Sequence, residues 1–272
     1  MSAHRAVEEF DEISQVYDET REPLAPYVVD ALATTLIRWG VHDLLEVGVG
    51  TGRVAGPLAA RGPEVTGLDA SRGMLARARS KGIPRLIRGS AYRLPFDART
   101  FDVALFVHVL HVLDDPAEAL REACRVSRIG AAALVRPVPA GEENGREREP
   151  GARQLVMERL RSYGIALPDR AHGGPMGVER SLLTQFPPER LVTVSEEDVT
   201  EPLSAQLAMF ERRASRWTAR VPPETMARAV AETRESLGDR VHTYHRVRAL
   251  ALWERPPNGV LPHDGPRPVM AG

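Results

Sequence analysis

The residues best suited to chemistry gather where one apolar run ends. "LLEVGVGTGR" (44–53) sets Gly48, Gly50 and Gly52 within five positions, with Glu46 two residues before the first. Glycine adopts positive φ and carries no side chain, so a glycine-rich strand-to-helix turn lets a ligand lie against bare backbone. About twenty residues on, "TGLDAS" ends a second apolar run in Asp69, a carboxylate placed to hold two ribose hydroxyls. Dinucleotide sites use G-x-G-x-x-G. Here the spacing is G-x-G-x-G, and Arg53 stands where that pattern's last glycine would fall. Taken alone, the turn also reads as a structural βα connection.

Histidines supply the groups that titrate near neutral pH. His108 and His111 lie three apart in "FVHVLHVL", where a strand gives way to a helix. His108 is the candidate for catalysis and His111 for ordering the loop. "HTYHR" puts His242 and Tyr244 on one strand face and His245 on the other, and His172 sits in "DRAHGGPMG". His172 and Tyr244 are candidates for contact with a substrate; a solvated loop and an ordinary terminal strand are the alternatives. No third ligand follows His108 and His111 closely, so no metal is expected. Cys124 is the only cysteine, which rules out an internal disulfide and a cysteine cluster.

These groups need elements to position them. Amphipathic spacing in "AVEEFDEISQVYDETR" and "YVVDALATTLIRWG" predicts two N-terminal helices. Strands are expected at "DLLEVGVG", "EVTGLDAS", "PRLIRGSAYRLPF", "FDVALFVHVLHVL" and "GAAALVRPV", alternating with helices at "GRVAGPLAARG", "RGMLARARSKG" and "DPAEALREACRVSR". Such alternation implies βαβ units, a parallel sheet and right-handed crossovers. Two further helices follow at "ARQLVMERLRSYG" and "MGVERSLLTQF", then a strand at "RLVTVSEEDVT", a mostly helical stretch over 201–237 and a last strand at "VHTYHRVRALALWERP". The expected organisation is an N-terminal helical lid (1–40), a cofactor-binding core (41–140) and inserted lid helices (141–186). The remaining strands (187–256) carry a helical cap over 201–238, and a disordered tail (257–272) follows.

Composition narrows the partners. With Lys+Arg 36 against Asp+Glu 37, the formal charge of -1 gives no electrostatic reason for binding nucleic acid or an anionic membrane. Lys81 is the only lysine. The N-terminus lacks an apolar signal region, and no run approaches the roughly 20 apolar residues of a membrane span. A soluble cytoplasmic protein without membrane insertion, monomeric or homodimeric, is the expectation.

The glycine turn, Glu46, Asp69, "GSAYRLPF" and "FDVALFVHVLHVLDDPAEALREACRVSRIG" together resemble the class I S-adenosylmethionine-dependent methyltransferases, closest to the group that includes quinone-biosynthesis enzymes. The likeness runs from Phe10 to about Val138, with "YHRVRALALWER" as that family's terminal antiparallel strand. It implies a Rossmann-like, seven-stranded, mostly parallel α/β sheet with an antiparallel last strand, helices on both faces and helical lid or cap insertions. It also implies S-adenosyl-L-methionine as cofactor, S-adenosyl-L-homocysteine as product and a small-molecule methyl acceptor. By that resemblance Gly48, Gly50 and Gly52 pass under the methionine part, Glu46 orders the loop and Asp69 binds the ribose. Ala70 and Met74 line the adenine pocket. Ser90 and Ala91 stand where the family often has an acid and an alanine. Val107 and His108 lie beside the sulfonium. "FDEISQVYDETR" resembles the group's opening lid, with Tyr17 and Arg21 near the methionine end. "SRIGAA" departs from a common Pro-Gly-Gly turn, keeping only Gly130, which is expected to alter a turn. A nicotinamide-dependent oxidoreductase and a non-catalytic S-adenosylmethionine-binding protein are the alternative readings.

Overall fold

The computed structural model describes residues 10–11, 14–15, 17–20, 23–137, 152–167, 174–212 and 218–254. The expected disordered tail at 257–272 lies outside these residues. Helix α1 (Pro26–Arg38) starts on a proline, whose missing N–H costs nothing in a first turn. β1 (Asp43–Val47) follows, then a glycine turn and the short α2 (Ala55–Ala59), trimmed relative to the expected helix because the turn runs on through Val54. Next come β2 (Glu64–Asp69), α3 (Arg72–Ser80), β3 (Arg85–Arg88), β4 (Phe101–Val107), α4 (Pro116–Val126) and β5 (Ser127–Val135). Local chemistry fixes two helix starts. Ser71 Oγ accepts the Met74 N–H at 3.0 Å and Asp115 Oδ1 accepts the Glu118 N–H at 2.9 Å, each satisfying a first-turn donor.

The later elements are α5 (Ala152–Ser162), α6 (Gly174–Gln185), β6 (Arg190–Pro202), α7 (Ala208–Glu211), α8 (Pro223–Leu237) and β7 (Val241–Glu254). The seven strands form one sheet in the order β3-β2-β1-β4-β5-β7-β6. All pairs from β3 to β5 are parallel, and β7 runs antiparallel to both β5 and β6. This is the Rossmann-like sheet with an antiparallel last strand.

Alternation along the central strands divides their side chains between two layers. Val103, Leu105 and Val107 of β4 join α1, α2 and α3 on one face. Ala104 and Phe106 join α4 and Leu182 of α6 on the other. A third cluster, separate from the sheet, packs Val156 and Leu160 of α5 with Leu203, Leu207, Phe210, Met226 and Val230. β6 and β7 pair over almost their whole lengths, but β5 reaches β7 only between Val135 and Gly130. The remainder, Ser195–Pro202 against Val241–Arg248, continues past the carboxyl edge of the parallel strands as a two-stranded ribbon, and this ribbon connects to the third cluster.

One expectation needs correction. Gly130 lies within β5, which begins directly after α4, so no turn stands at that place. A Cβ on Gly130 would lie 2.1 Å from the backbone carbonyl oxygen of Trp253 on β7. The glycine permits close approach of two strands. Gly130→Ala is therefore expected to lower stability by about 1–3 kcal/mol, the usual cost of overpacking. A urea midpoint equal to that of wild type would refute the assignment.

Candidate cofactor cleft and active site

The turn after β1 is tied to the end of β2. The Leu68 carbonyl accepts the N–H of Gly48 at 2.7 Å and of Val49 at 2.9 Å, and Asp69 Oδ2 accepts the N–H of Gly50 at 2.8 Å. Asp69 Oδ1 accepts from Ser71 N–H at 2.9 Å, so each carboxylate oxygen keeps a lone pair for a ligand. Removal from water raises the Asp69 pKa, against the lowering influence of the Ser71, Gly50 and Ala70 amides.

A cleft of about 210 Å³ opens here, at the carboxyl ends of β1, β2 and β4. Tyr17, Glu46, Gly48, Gly50, Asp69, Ala70, Met74, Ser90, Ala91, Val107 and His108 all border it, so most of the residues singled out from the sequence share one cavity. Gly50 has φ +55, and a Cβ there would meet no atom within 4 Å, so its bare backbone faces open space. Gly52 does something different. It is absent from the cleft wall, and its missing Cβ makes room for Ile83, whose Cδ1 would stand 2.0 Å away. Its positive φ of +77 keeps it a turn glycine, and it also packs between the turn and the end of α3.

Glu46 is 2% exposed, and its Oε2 is buried without a hydrogen-bonding partner among the described residues. Burial, then the charge of Asp69, push its carboxyl up to about 8, although the Ala55 N–H works against that shift. An orphaned acid in a largely apolar cleft is the kind of group a ligand completes. His108 has φ 55, a strained value for a residue with a side chain. Its ring is exposed to the cleft but surrounded by protein and cations. Desolvation, then Arg136, His111, Arg53 and Arg248, lower its pKa to about 4.

The N-terminal segment folds over this opening. Phe10 and Tyr17 border the cleft, and two aspartates secure the segment. Asp11 Oδ1 accepts from Ser71 Oγ at 2.5 Å and from Gly73 N–H at 2.8 Å. Asp18 accepts from Thr51 Oγ1 at 2.5 Å and pairs with the Nζ of Lys81, the only lysine, at 2.6 Å. Arg21 and His172 lie outside the described residues. Tyr244 is on the ribbon, away from the cleft wall, and accepts a hydrogen bond from Arg246. Ser90 Oγ accepts the Tyr92 N–H at 3.2 Å, and Tyr92 Oη accepts the Asp114 N–H at 2.8 Å. Sequence reading passed over Tyr92, Leu113 and Asp114, all of which border the cleft. Tyr92 falls in the quoted "GSAYRLPF" motif, so position in the motif was a usable signal. For Leu113 and Asp114 the signal was only their closeness to the N-cap Asp115.

A parallel sheet with its cleft at the carboxyl ends of the strands, a glycine turn and an acid closing β2 defines a nucleoside-binding Rossmann-like protein. Residues 45–135 match the family model described as "Methyltransferase domain". A phosphatidylethanolamine N-methyltransferase of Cereibacter sphaeroides is 30% identical, over 39% of this chain and 68% of the relative. A demethylmenaquinone methyltransferase of Corynebacterium kroppenstedtii is 32% identical, over 44% of this chain and 54% of the relative. The chain thus spans between about half and two thirds of the length of these relatives. In fold it is similar to the (4+2)-cyclase SpnF, with TM-score 0.53, 18% identity and coverage of 93% of this chain and 97% of that one. A candidate type II methyltransferase from Anaeromyxobacter dehalogenans gives TM-score 0.51 and 21% identity, covering 89% and 99%. The chain belongs to the class I S-adenosylmethionine-dependent methyltransferases.

Glu46 makes the cleft's electrostatic cost measurable. Its pKa near 8 stands above the ordinary 4.5, so between those values the native state keeps a proton that the unfolded chain has released. Stability contributed by this group therefore falls as pH rises across that window, by at most about 1.4 kcal/mol per pH unit. Glu46→Gln is expected to flatten the fall. Urea midpoints measured across the window would refute the assignment if the two proteins decline in parallel.

Proposed function

We propose that the protein transfers a methyl group from S-adenosyl-L-methionine to a small, partly apolar acceptor by in-line displacement. The observation that carries this reading is the orphaned Oε2 of Glu46 in the same cleft as the open backbone of Gly50, whose N–H is held by Asp69 at 2.8 Å. These groups suit a ligand with a cationic amino-acid end and a ribose. Glu46, Gly48 and Gly50, with Tyr17 and Arg21 from the lid, would take the methionine end. Asp69 would accept from the ribose hydroxyls. Ala70, Met74, Ala91 and Ser90 would enclose the adenine, and Val107 and His108 would border the transferred carbon. Gly52 supports the turn from behind. His172 and Tyr244 are assigned to the acceptor side.

The cofactor, when bound, supplies the activated methyl carbon. What remains for this chain is to align the acceptor, exclude water and, for a protonated nucleophile, take a proton. Lid contacts through Asp11 and Asp18 serve the exclusion of water. His108, with its pKa lowered to about 4, is neutral across the physiological range and able to accept a proton on a ring nitrogen. No helix among the described residues is long and apolar enough to cross a membrane.

Calorimetric titration with S-adenosyl-L-homocysteine, and NADH in parallel, tests the cofactor. Binding of the former alone is expected, and Asp69→Ala should weaken it by about 1–3 kcal/mol, the range for a lost hydrogen bond to a charged group. Preference for NADH, or unchanged affinity in the variant, would overturn the assignment. Tight binding with no turnover across a broad acceptor panel would instead indicate a binding protein. His108 gives a separate prediction. His108→Asn should lower kcat while leaving S-adenosyl-L-homocysteine affinity within about twofold, and the wild-type kcat/KM should show no histidine step at the ordinary 6.5. Equal losses in turnover and affinity would make His108 only part of the pocket wall.

A further inference from the structure

Two arginines stand side by side where the carboxyl edge of the sheet meets the ribbon. β5 and β7 pair as far as Val135 and Ala249, so Arg136 and Arg248 are neighbours just beyond the last rung. Continuing the alternation of Ala132 and Leu134 on β5, and of Leu252 and Leu250 on β7, places both on the α1 side of the sheet. Like charges so close are unfavourable unless anions offset them.

Arg248 has its anion. Its Nη1 donates to Glu197 Oε1 at 2.6 Å and to Ser195 Oγ at 3.2 Å. Glu197 is itself fixed by Tyr27 Oη, which donates to Oε2 at 2.6 Å. Arg136 is served less well. Its Nε is buried without a hydrogen-bonding partner among the described residues. The nearby acid is Glu179, whose Oε2 accepts the backbone N–H of Arg136 at 3.1 Å. Glu179 is 3% exposed, and burial raises its pKa, which makes it a weak counterion. Val107 of β4 pairs with Leu134 of β5, which brings His108, the next residue, beside the strand end that leads into Arg136, and both arginines lower its pKa. His108 borders the cofactor cleft, and Arg53 also forms part of its wall.

We propose that the methyl acceptor carries an anionic group, a carboxylate or a phosphate, and that Arg136, with Arg248 beside it, holds this group next to His108. A guanidinium offers paired N–H donors that fit either group. The anion completes the charge balance of Arg136 and leaves the rest of the acceptor lying across His108 toward the cleft. Arg136 is thus a specificity residue for the methyl transfer, and the inference rests on reading the cleft as the cofactor site.

The test uses the whole protein saturated with S-adenosyl-L-homocysteine and follows the His108 ring proton by NMR. Benzoate, phenyl phosphate and benzamide are titrated separately at fixed ionic strength. At least one anion is expected to shift the His108 signal saturably and to raise its titration midpoint, since it offsets the guanidinium field. Benzamide should not. Arg136→Gln should weaken the anion at least tenfold, Arg136→Lys should retain most of the binding, and both should bind S-adenosyl-L-homocysteine as wild type does. A response to benzamide equal to that of the anions, no response to either anion, or undiminished anion binding by Arg136→Gln would overturn the proposal. Cofactor-product affinity is measured first, and the anion titrations are repeated without it. Failure of the cofactor reading is then separable from failure of the anion site.

Discussion

The backbone leaving β1 is held by the end of β2, and the site depends on that attachment. One carbonyl, of Leu68, accepts from two successive amides, and the carboxylate of Asp69 accepts from the next, Gly50. The turn therefore cannot relax away from β2, and Glu46 is trapped behind it with a second acid for a neighbour. In water two carboxylates would simply ionise and separate. Here burial raises the pKa of both, and the charge of Asp69 adds to the rise at Glu46. The fold thus carries a local electrostatic cost that a ligand with hydroxyl donors and a positive charge would offset, the usual trade between stability and a prepared site.

Around this fixed point the chain adds two layers by different means. The N-terminal segment is joined through polar contacts, Asp11 to Ser71 and Gly73, Asp18 to Thr51 and Lys81. Partly exposed ion pairs contribute little individually. Such contacts can be broken and remade as a ligand enters without disturbing the sheet. The ribbon of β6 and β7 is the opposite case, with a continuous backbone ladder that carries charged side chains beyond the parallel strands. On its outer face His245 lies between Asp198 and Glu196, at 2.8 and 2.9 Å. On its inner face Glu197 gathers Tyr27 and Arg248. Family membership fixes the cofactor chemistry, whereas the ribbon and the third hydrophobic cluster are where this chain can differ in what it accepts.

The sequence by itself determined the alternating sheet and helices and the grouping of Glu46, Gly50, Asp69 and His108 at the strand ends, whereas the antiparallel last strand was implied only by the family resemblance. The sheet and the grouping are consequences of local pattern. Hydrophobic alternation sets which face of a strand is buried, caps such as Ser71 and Asp115 set where helices begin, and βα units bring the carboxyl ends of the parallel strands to one edge. Contacts between distant segments escaped it. Gly52 combines a positive φ of +77 with side-chain space taken by Ile83, and at Gly130 the Trp253 carbonyl takes that space. Neither partner is near in sequence, so the packing role of Gly52 and the place of Gly130 inside a strand stay hidden until strand order and packing are known. The same holds for Arg136, whose neighbour Arg248 is supplied by the register of β5 on β7, and for the orphaned oxygen of Glu46, which exists only because the surrounding core excludes water. Tertiary structure alone decided these, since register and solvent exclusion are properties of the assembled sheet and not of any single segment.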